Sequence, residues 1–303
     1  MIWVFCFCFY IIFFFSEKQV ALLVGGGNRS SVELYSPTGN CNYLLAPLPT
    51  TGTNFEIILA YINQIIFVCG GPNNRNCWQY SVTSNSWSFY TSSKYTHDYQ
   101  TAVTYNNKLY IVDDQVPETF DPATNAWFSW PAPPNLSGDG PCMVVWKDTF
   151  LLFGGYARRR YVQSYNVTTK AWKTLLNPFT YLVPNEMVFS GCLVLPNQDK
   201  VLIIGSEDPP YRFAVSIYNI GSNTFQKLPE TQVWLAGAKL LRFGDRVFAV
   251  DGHEGAIVDE FILSTNTWSH VSLNLTVWHN GHPGAITLPA SVFGSIRGGC
   301  IGL

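Results

Sequence analysis

The residues best suited to chemistry are arginines and carboxylates gathered in short, polar segments. Arg158, Arg159 and Arg160 stand in succession in YARRRY, Tyr211 and Arg212 close EDPPYR, and Arg75 lies in PNNRN. Guanidinium groups hold carboxylates or sulfates through paired hydrogen bonds. These residues, with Asp113, Asp114, His253 and Glu254, are therefore the expected ligand-binding set. The competing reading of the Arg triplet is a solvated loop tip. Asp113, Asp114 and Glu118 offer the hard oxygen ligands that calcium takes, without the spacing of a known calcium loop. The chain has five histidines, His97, His253, His270, His279 and His282. The last two are spaced to chelate a metal, but lone surface histidines are commoner. There is no C-x-x-C pair, no G-x-S-x-G elbow and no phosphate-cradling glycine loop. The sequence assigns no catalytic residue, no metal site and no cofactor.

Composition narrows what must position those residues. Of 303 residues, 13% are charged and 16% aromatic. An ordinary soluble domain carries about 25% charged residues, so a disordered chain or a highly charged coiled coil is excluded. Lys and Arg number 18 against 20 Asp and Glu, a net charge of −2, so no basic excess points to nucleic acid. Short aromatic runs separated by Gly, Asn and Pro indicate an all-β fold.

Ile2 to Phe15 is a continuous apolar run of 14 residues, short of the ~20 needed to span a bilayer as a helix. It is read as a signal peptide, residues 1–16, ahead of one domain at 17–303, with no membrane span. Secretion is the expected localisation. Asn28, Asn135, Asn166 and Asn274 begin N-x-S/T triplets and are the expected glycosylation sites. Cys6 and Cys8 would leave with the leader. Cys41, Cys69, Cys77, Cys142, Cys192 and Cys300 remain, an even number that permits disulfides. A Cys41–Cys77 bridge is the first expectation. Cys69 reads as a small buried hydrophobe. Cys142 and Cys192 read as matched positions on inner strands of neighbouring units.

A repeat of about 45 residues organises the chain. Six apolar runs end in Gly-Gly or a relic of it: ALLVGG, IIFVCGG, LYIVDD, FLLFGG, VLIIGS and VFAVDG. A second strand follows each, carrying Tyr35, Tyr80, Phe120, Tyr165, Tyr218 or Phe261. Seven residues further on stand Trp87, Trp127, Trp172, Phe225 and Trp268, whereas the first unit has Asn42 there. The polar segment between the two aromatics reads as a tight hairpin. With one more strand upstream, each unit is four antiparallel strands, here called a to d. Such sheets bury both faces by stacking around an axis. The aromatics are then core fillers of the wedge between sheets rather than ligand contacts.

The pairs Gly25–Gly26, Gly70–Gly71 and Gly154–Gly155, with the aromatic residues above, resemble the kelch repeat. The resemblance covers about residues 20–290. It implies a six-bladed β-propeller of four-stranded antiparallel blades. Asp113–Asp114, Gly205–Ser206 and Asp251–Gly252 depart from the double glycine. The first unit lacks strand a, and GAITLPASV at 284–292 supplies it, closing the ring through the C-terminal strand. Some kelch propellers resemble galactose oxidase, a copper enzyme, but no Cys–Tyr–His constellation can be picked out here. The aspartate boxes of six-bladed sialidases are absent as well.

Alternating strand direction puts the a–b and c–d turns on one face and the longer b–c and d–a loops on the other. Long loops on a rigid scaffold are where binding concentrates. The expected role is a secreted binding module that meets a protein or carbohydrate on the long-loop face. The alternatives are a secreted enzyme using the axial pocket, metal-dependent or carbohydrate-active, and a cytoplasmic scaffold with an artefactual leader.

Overall fold

A computed structural model of the protein describes residues 18–294, apart from 27–29, 38, 40, 50–56, 72, 98, 113–115, 136–137, 177–185, 251, 253–254, 272–274 and 280–281. The expected leader, Asn28, Asn274, Asp113, Asp114, His253, Glu254 and Cys300 lie outside the described residues.

Short β-branched and aromatic runs form the strands. Blade 1 holds β1 (Gln19–Val24), β2 (Val32–Ser36) and β3 (Cys41–Leu44). Blade 2 is β4 (Ile58–Ile62), β5 (Ile65–Cys69), β6 (Asn76–Ser81) and β7 (Ser86–Ser92). Blade 3 is β8 (Thr101–Tyr105), β9 (Lys108–Val112), β10 (Glu118–Asp121) and β11 (Ala126–Ser129). Blade 4 is β12 (Cys142–Trp146), β13 (Thr149–Phe153), β14 (Val162–Asn166) and β15 (Ala171–Leu176). Blade 5 is β16 (Gly191–Val194), β17 (Lys200–Ile204), β18 (Val215–Asn219) and β19 (Thr224–Leu228). Blade 6 is β20 (Lys239–Phe243), β21 (Arg246–Val250), β22 (Val258–Ile262) and β23 (Thr267–His270). Last comes β24 (Gly284–Pro289), which pairs antiparallel with β1 from Gln19↔Pro289 to Val24↔Gly284 and completes blade 1. The six sheets each have four strands. Their inner strands β4, β8, β12, β16, β20 and β24 contact one another in a closed circle.

The core is a set of wedges between blades. Because side chains alternate along a strand, Val20, Leu22 and Val24 of β1 pack with Leu59 and Val68 of blade 2. Ala21 and Leu23 turn the other way, to Leu241 and Phe248 of blade 6. The outer part of five wedges is filled by aromatic pairs directly opposed across strands c and d. These are Tyr80↔Trp87, Phe120↔Trp127, Tyr165↔Trp172, Tyr218↔Phe225 and Phe261↔Trp268. Their ring centroids lie 4.8 to 5.2 Å apart. In blade 1 the smaller Asn42 faces Tyr35. The hairpins between pair members turn through a left-handed residue: Asn85, Asn125, Lys170, Asn223 and Asn266 have φ near 50°. Asn suits that conformation best after Gly.

The glycine pairs have a distinct cause. The first glycine of a pair backs onto the d–a loop that follows its blade, and the second onto the one before. A methyl on Gly154 would lie 1.9 Å from the Met187 carbonyl oxygen, and one on Gly26 would lie 2.1 Å from that of His279.

The expected Cys41–Cys77 bridge is not formed. Cys77 is bonded to Cys69, which faces it directly across β5 and β6, with Cα atoms 4.2 Å apart. Cys41 is itself disulfide-bonded and has no part in that pair. Cys69 is thus buried as a disulfide, not as a free thiol. A second disulfide, Cys142–Cys192, joins the inner strands of blades 4 and 5.

Candidate functional site

The long-loop face is built from the ends inward. Buried polar residues on strand c latch the preceding d–a loop. Glu118, fully buried, accepts the amides of Lys94 (3.3 Å) and Tyr95 (3.1 Å) and the Nε2–H of His97 (2.9 Å). Glu33 does the same for the loop that ends the chain's last turn of the ring. It accepts the amides of Thr276 (2.7 Å) and Val277 (3.2 Å), with His279 Nε2 3.7 Å away. His279 turns its Nδ1–H onto the Gly25 carbonyl at 2.6 Å. In blade 4, Gln163 takes the equivalent part, accepting the Asn135 amide and donating to the Asn135 carbonyl at 2.8 Å. A buried carboxylate is tolerated only with such donors around it. Glu118 therefore acts as a loop anchor, although the sequence grouped it with Asp113 and Asp114 as a cation ligand. Among the described residues no cluster of three or more His, Cys, Asp or Glu is placed to hold a metal.

The predicted arginines of blades 4 and 5 do come together. Arg159 Nη1 pairs with Glu186 at 3.1 Å and with Asp208. Its hydrogen bond to Glu186 raises its pKa. Arg160 reaches Glu186 at 3.5 Å and donates to the Tyr211 hydroxyl at 2.9 Å. Stacking extends the row: Arg159 over Tyr156, Arg158 over Tyr161, and Arg212 over Trp234 at 4.0 Å. The guanidinium forks thus meet carboxylates from two other loops, clamping blade 4 to blade 5. Sequence separation hid Glu186, whereas Asp208 already stood among the acidic residues expected on this face. Arg75 lies apart, donating to the Lys94 carbonyl at 3.2 Å. Asn135, an expected glycan acceptor, has its amide nitrogen 3.0 Å from Thr174 Oγ1. Asn166 stands at the entrance to a c–d hairpin on the opposite face, accepting the Thr169 amide.

The residues that sequence reasoning missed surround the axis. Each d–a loop enters its inner strand through a position two residues ahead of it. Among the described residues these are, in order around the ring, Tyr99, Gly140, Phe189, Gly237 and His282, the position ahead of β4 lying outside them. Tyr99 and Phe189 have φ of 52° and 53°, in the left-handed region, as do the glycines between them. Bulky side chains rarely accept that backbone, and such residues collect at ligand sites. Main-chain hydrogen bonds tie the positions together: Gly140 N–H to Tyr99 O, Phe189 N–H to Gly140 O and Gly237 N–H to Phe189 O, at 2.7 to 2.8 Å. Large and small side chains alternate, so the Phe189 ring lies over Gly140, 2.6 Å from where a methyl would stand. Phe189 meets Tyr99 edge-on at 5.5 Å and His282 at 5.1 Å. A left-handed aromatic gives no single-residue signal. Only the alternation at one repeat position would have exposed this cluster.

Immediately inside these positions lies an axial chamber of about 200 Å³. All six inner strands line it, and its polar lining is Gln100, Thr101, Ser190, Lys239 and the Cys142–Cys192 disulfide. The opposite face is plainer. Its a–b turns are linked blade to blade by Tyr105 to Asp148, Trp146 to Asp199 at 2.9 Å and Asn197 to Asp245 at 3.3 Å.

No protein-family model matches the chain, and no curated protein sequence does. Among solved structures, the propeller described as "Structure of YjhT" is similar at a TM-score of 0.63 and 13% identity. The match covers 84% of this chain and 98% of that one. At that identity the likeness shows the fold alone. Both the likeness and the six closed blades place the chain among the six-bladed β-propellers.

Proposed function

We propose that the protein is a secreted, glycosylated kelch-repeat propeller that binds a protein or carbohydrate at the mouth of the axial chamber, without catalysis. The observation that carries this is the aromatic cap. Tyr99 and Phe189 are held in a backbone state that costs roughly 1–3 kcal/mol each, at a loop position where blades 4 and 6 use glycine. Three aromatic rings next to a polar-lined chamber suit the apolar face of a sugar or an aromatic anchor of a protein loop. The Arg and aromatic row of blades 4 and 5 forms a rim of the composition that dominates binding energetics. Two disulfides are compatible with an oxidising compartment. No helix among the described residues is long and apolar enough to cross a membrane.

The test is a screen of the exported protein against a glycan panel and a panel of extracellular proteins, run beside Tyr99→Gly/Phe189→Gly. Glycine accepts the left-handed backbone, so this variant keeps its fold. The expected result is a ligand whose affinity falls about tenfold or more in the variant, in line with loss of a central aromatic anchor. Unchanged affinity would move the site elsewhere, and a folded protein that captures nothing from either panel would sink the binding role.

A further inference from the structure

We propose that Cys142–Cys192 is a thiol-exchange site opening onto the axial chamber, and that its reduction releases the aromatic cap. The consequence for ligand binding rests on the role proposed above; the exchange chemistry does not.

The disulfides Cys69–Cys77 and Cys142–Cys192 differ in setting. Cys69 and Cys77 are 2% and 0% exposed, inside one blade, on strands already joined by backbone hydrogen bonds. Cys142 and Cys192 are partly exposed, and both line the chamber. They bridge β12 and β16, which belong to separate sheets and share no backbone ladder. Across that joint the cap is tied by the Phe189 N–H to Gly140 O bond. Gly140 precedes Cys142 by two residues, and Phe189 precedes Cys192 by three. Cutting the sulfur bridge therefore frees the joint directly beneath the strained Phe189, whose relaxation toward ordinary backbone angles favours opening. The Cys69–Cys77 bridge has no such element attached.

The chemistry needs a small thiol such as glutathione. Its thiolate attacks one cysteine sulfur; the Sγ–Sγ bond breaks, a mixed disulfide forms, and the other cysteine leaves as a thiolate that takes a proton from water. A second thiolate attacks the glutathione sulfur of the mixed disulfide, releasing the remaining cysteine and oxidised glutathione. Two cysteine thiols are gained for two glutathione thiols oxidised. Lys239 lines the same chamber, and a nearby ammonium favours the thiolate that departs.

The experiment treats the native full chain with reduced glutathione, quenches with an alkylating agent and maps cysteine peptides over time. Cys142 and Cys192 should be labelled about tenfold faster or more than Cys69 and Cys77, because exchange rates follow access. Equal rates, or no labelling short of unfolding, would overturn the site. Amide exchange at Gly140 and Phe189 should then rise severalfold in the glutathione-reduced protein and in Cys142→Ser/Cys192→Ser. Unchanged exchange in the reduced wild type would overturn the release of the cap, and that arm stands even if the double variant does not fold. Neither readout uses a ligand, so the failure of this inference and the failure of the binding role are told apart.

Discussion

Gly154 follows β13 at a φ of 62°, under the carbonyl of Met187 in the following loop. Gly244 has nearly the same φ, 61°, but nothing lies within 4 Å of where its methyl would stand. Lys147 occupies the corresponding a–b turn of blade 4 at a φ of 52°, so that turn accepts a side chain. The pair separates two reasons for glycine, conformational freedom and backbone approach. Gly244→Ala should cost about 1 kcal/mol, the left-handed penalty alone. Gly154→Ala must also push apart two main chains and should cost about 3 kcal/mol or more. Urea unfolding of both variants measures the difference, and equal losses would show that loop approach contributes nothing. At this scale the sequence was legible only in part. The glycine pairs were visible as a pattern, but their contact partners lie in other loops, as far off in the chain as His279 is from Gly26. The Arg158–Arg160 triplet was visible too, with Asp208 among the acidic residues of the same face, but its partner Glu186 was not, because the arrangement of blades decides which loops meet.

The four-stranded sheet is where pattern and structure agree most closely. In every blade the residue four ahead of the first glycine position faces the strand-c aromatic: Ala21↔Tyr35, Ile66↔Tyr80, Leu109↔Phe120, Phe150↔Tyr165, Val201↔Tyr218 and Val247↔Phe261. That register was available from spacing alone. Carried three residues toward the glycines from Ile66↔Tyr80, it sets Cys69 opposite Cys77, so the true bridge was within reach and the Cys41–Cys77 expectation came from ignoring register. The left-handed backbone of Tyr99 and Phe189 has no local signal; only the glycines at the matching position of blades 4 and 6 point to it. The same sheets make an alkaline prediction. Burial raises the pKa of Tyr80 and Tyr218 from 10.0 to about 12. Their hydroxyls donate to the hairpin residues Asn85 (2.6 Å) and Asn223 (2.5 Å). The folded chain holds these protons more tightly than the unfolded one, so their contribution is complete below pH 10 and is lost as pH rises toward about 12. Tyr218→Phe should flatten that loss. Stability measured by urea unfolding across this range checks it, and a variant with the same alkaline decline as the wild type would contradict the assignment.

The closed ring makes the fate of one strand a property of the whole molecule. β24 carries all six pairings to β1 and also stands between β20 and β4 in the inner circle. Without it, blade 1 exposes an inner edge and the wedges on both sides lose a wall. Leu288 and Phe293 are 2% and 0% exposed in the wedge shared with blade 2. Burying two such side chains is worth about 4 kcal/mol, before the lost ladder is counted. A kcal/mol moves the midpoint of a domain of ~250 residues by about 2–4 °C. Ending the chain after residue 283 should therefore lower the thermal midpoint by about 10 °C or more. The loss should extend beyond blade 1, because each blade's core is half supplied by its neighbour. Amide exchange should accelerate in β20 and β4 as well as in β1. A synthetic peptide of residues 284–294, added in excess, should restore the midpoint in proportion to its occupancy, since it binds only the folded ring. An unchanged midpoint after truncation would mean that five complete blades and a three-stranded remnant hold the circle by themselves. Recovery with the peptide would show that the last strand acts by filling a defined slot between the ends of the ring.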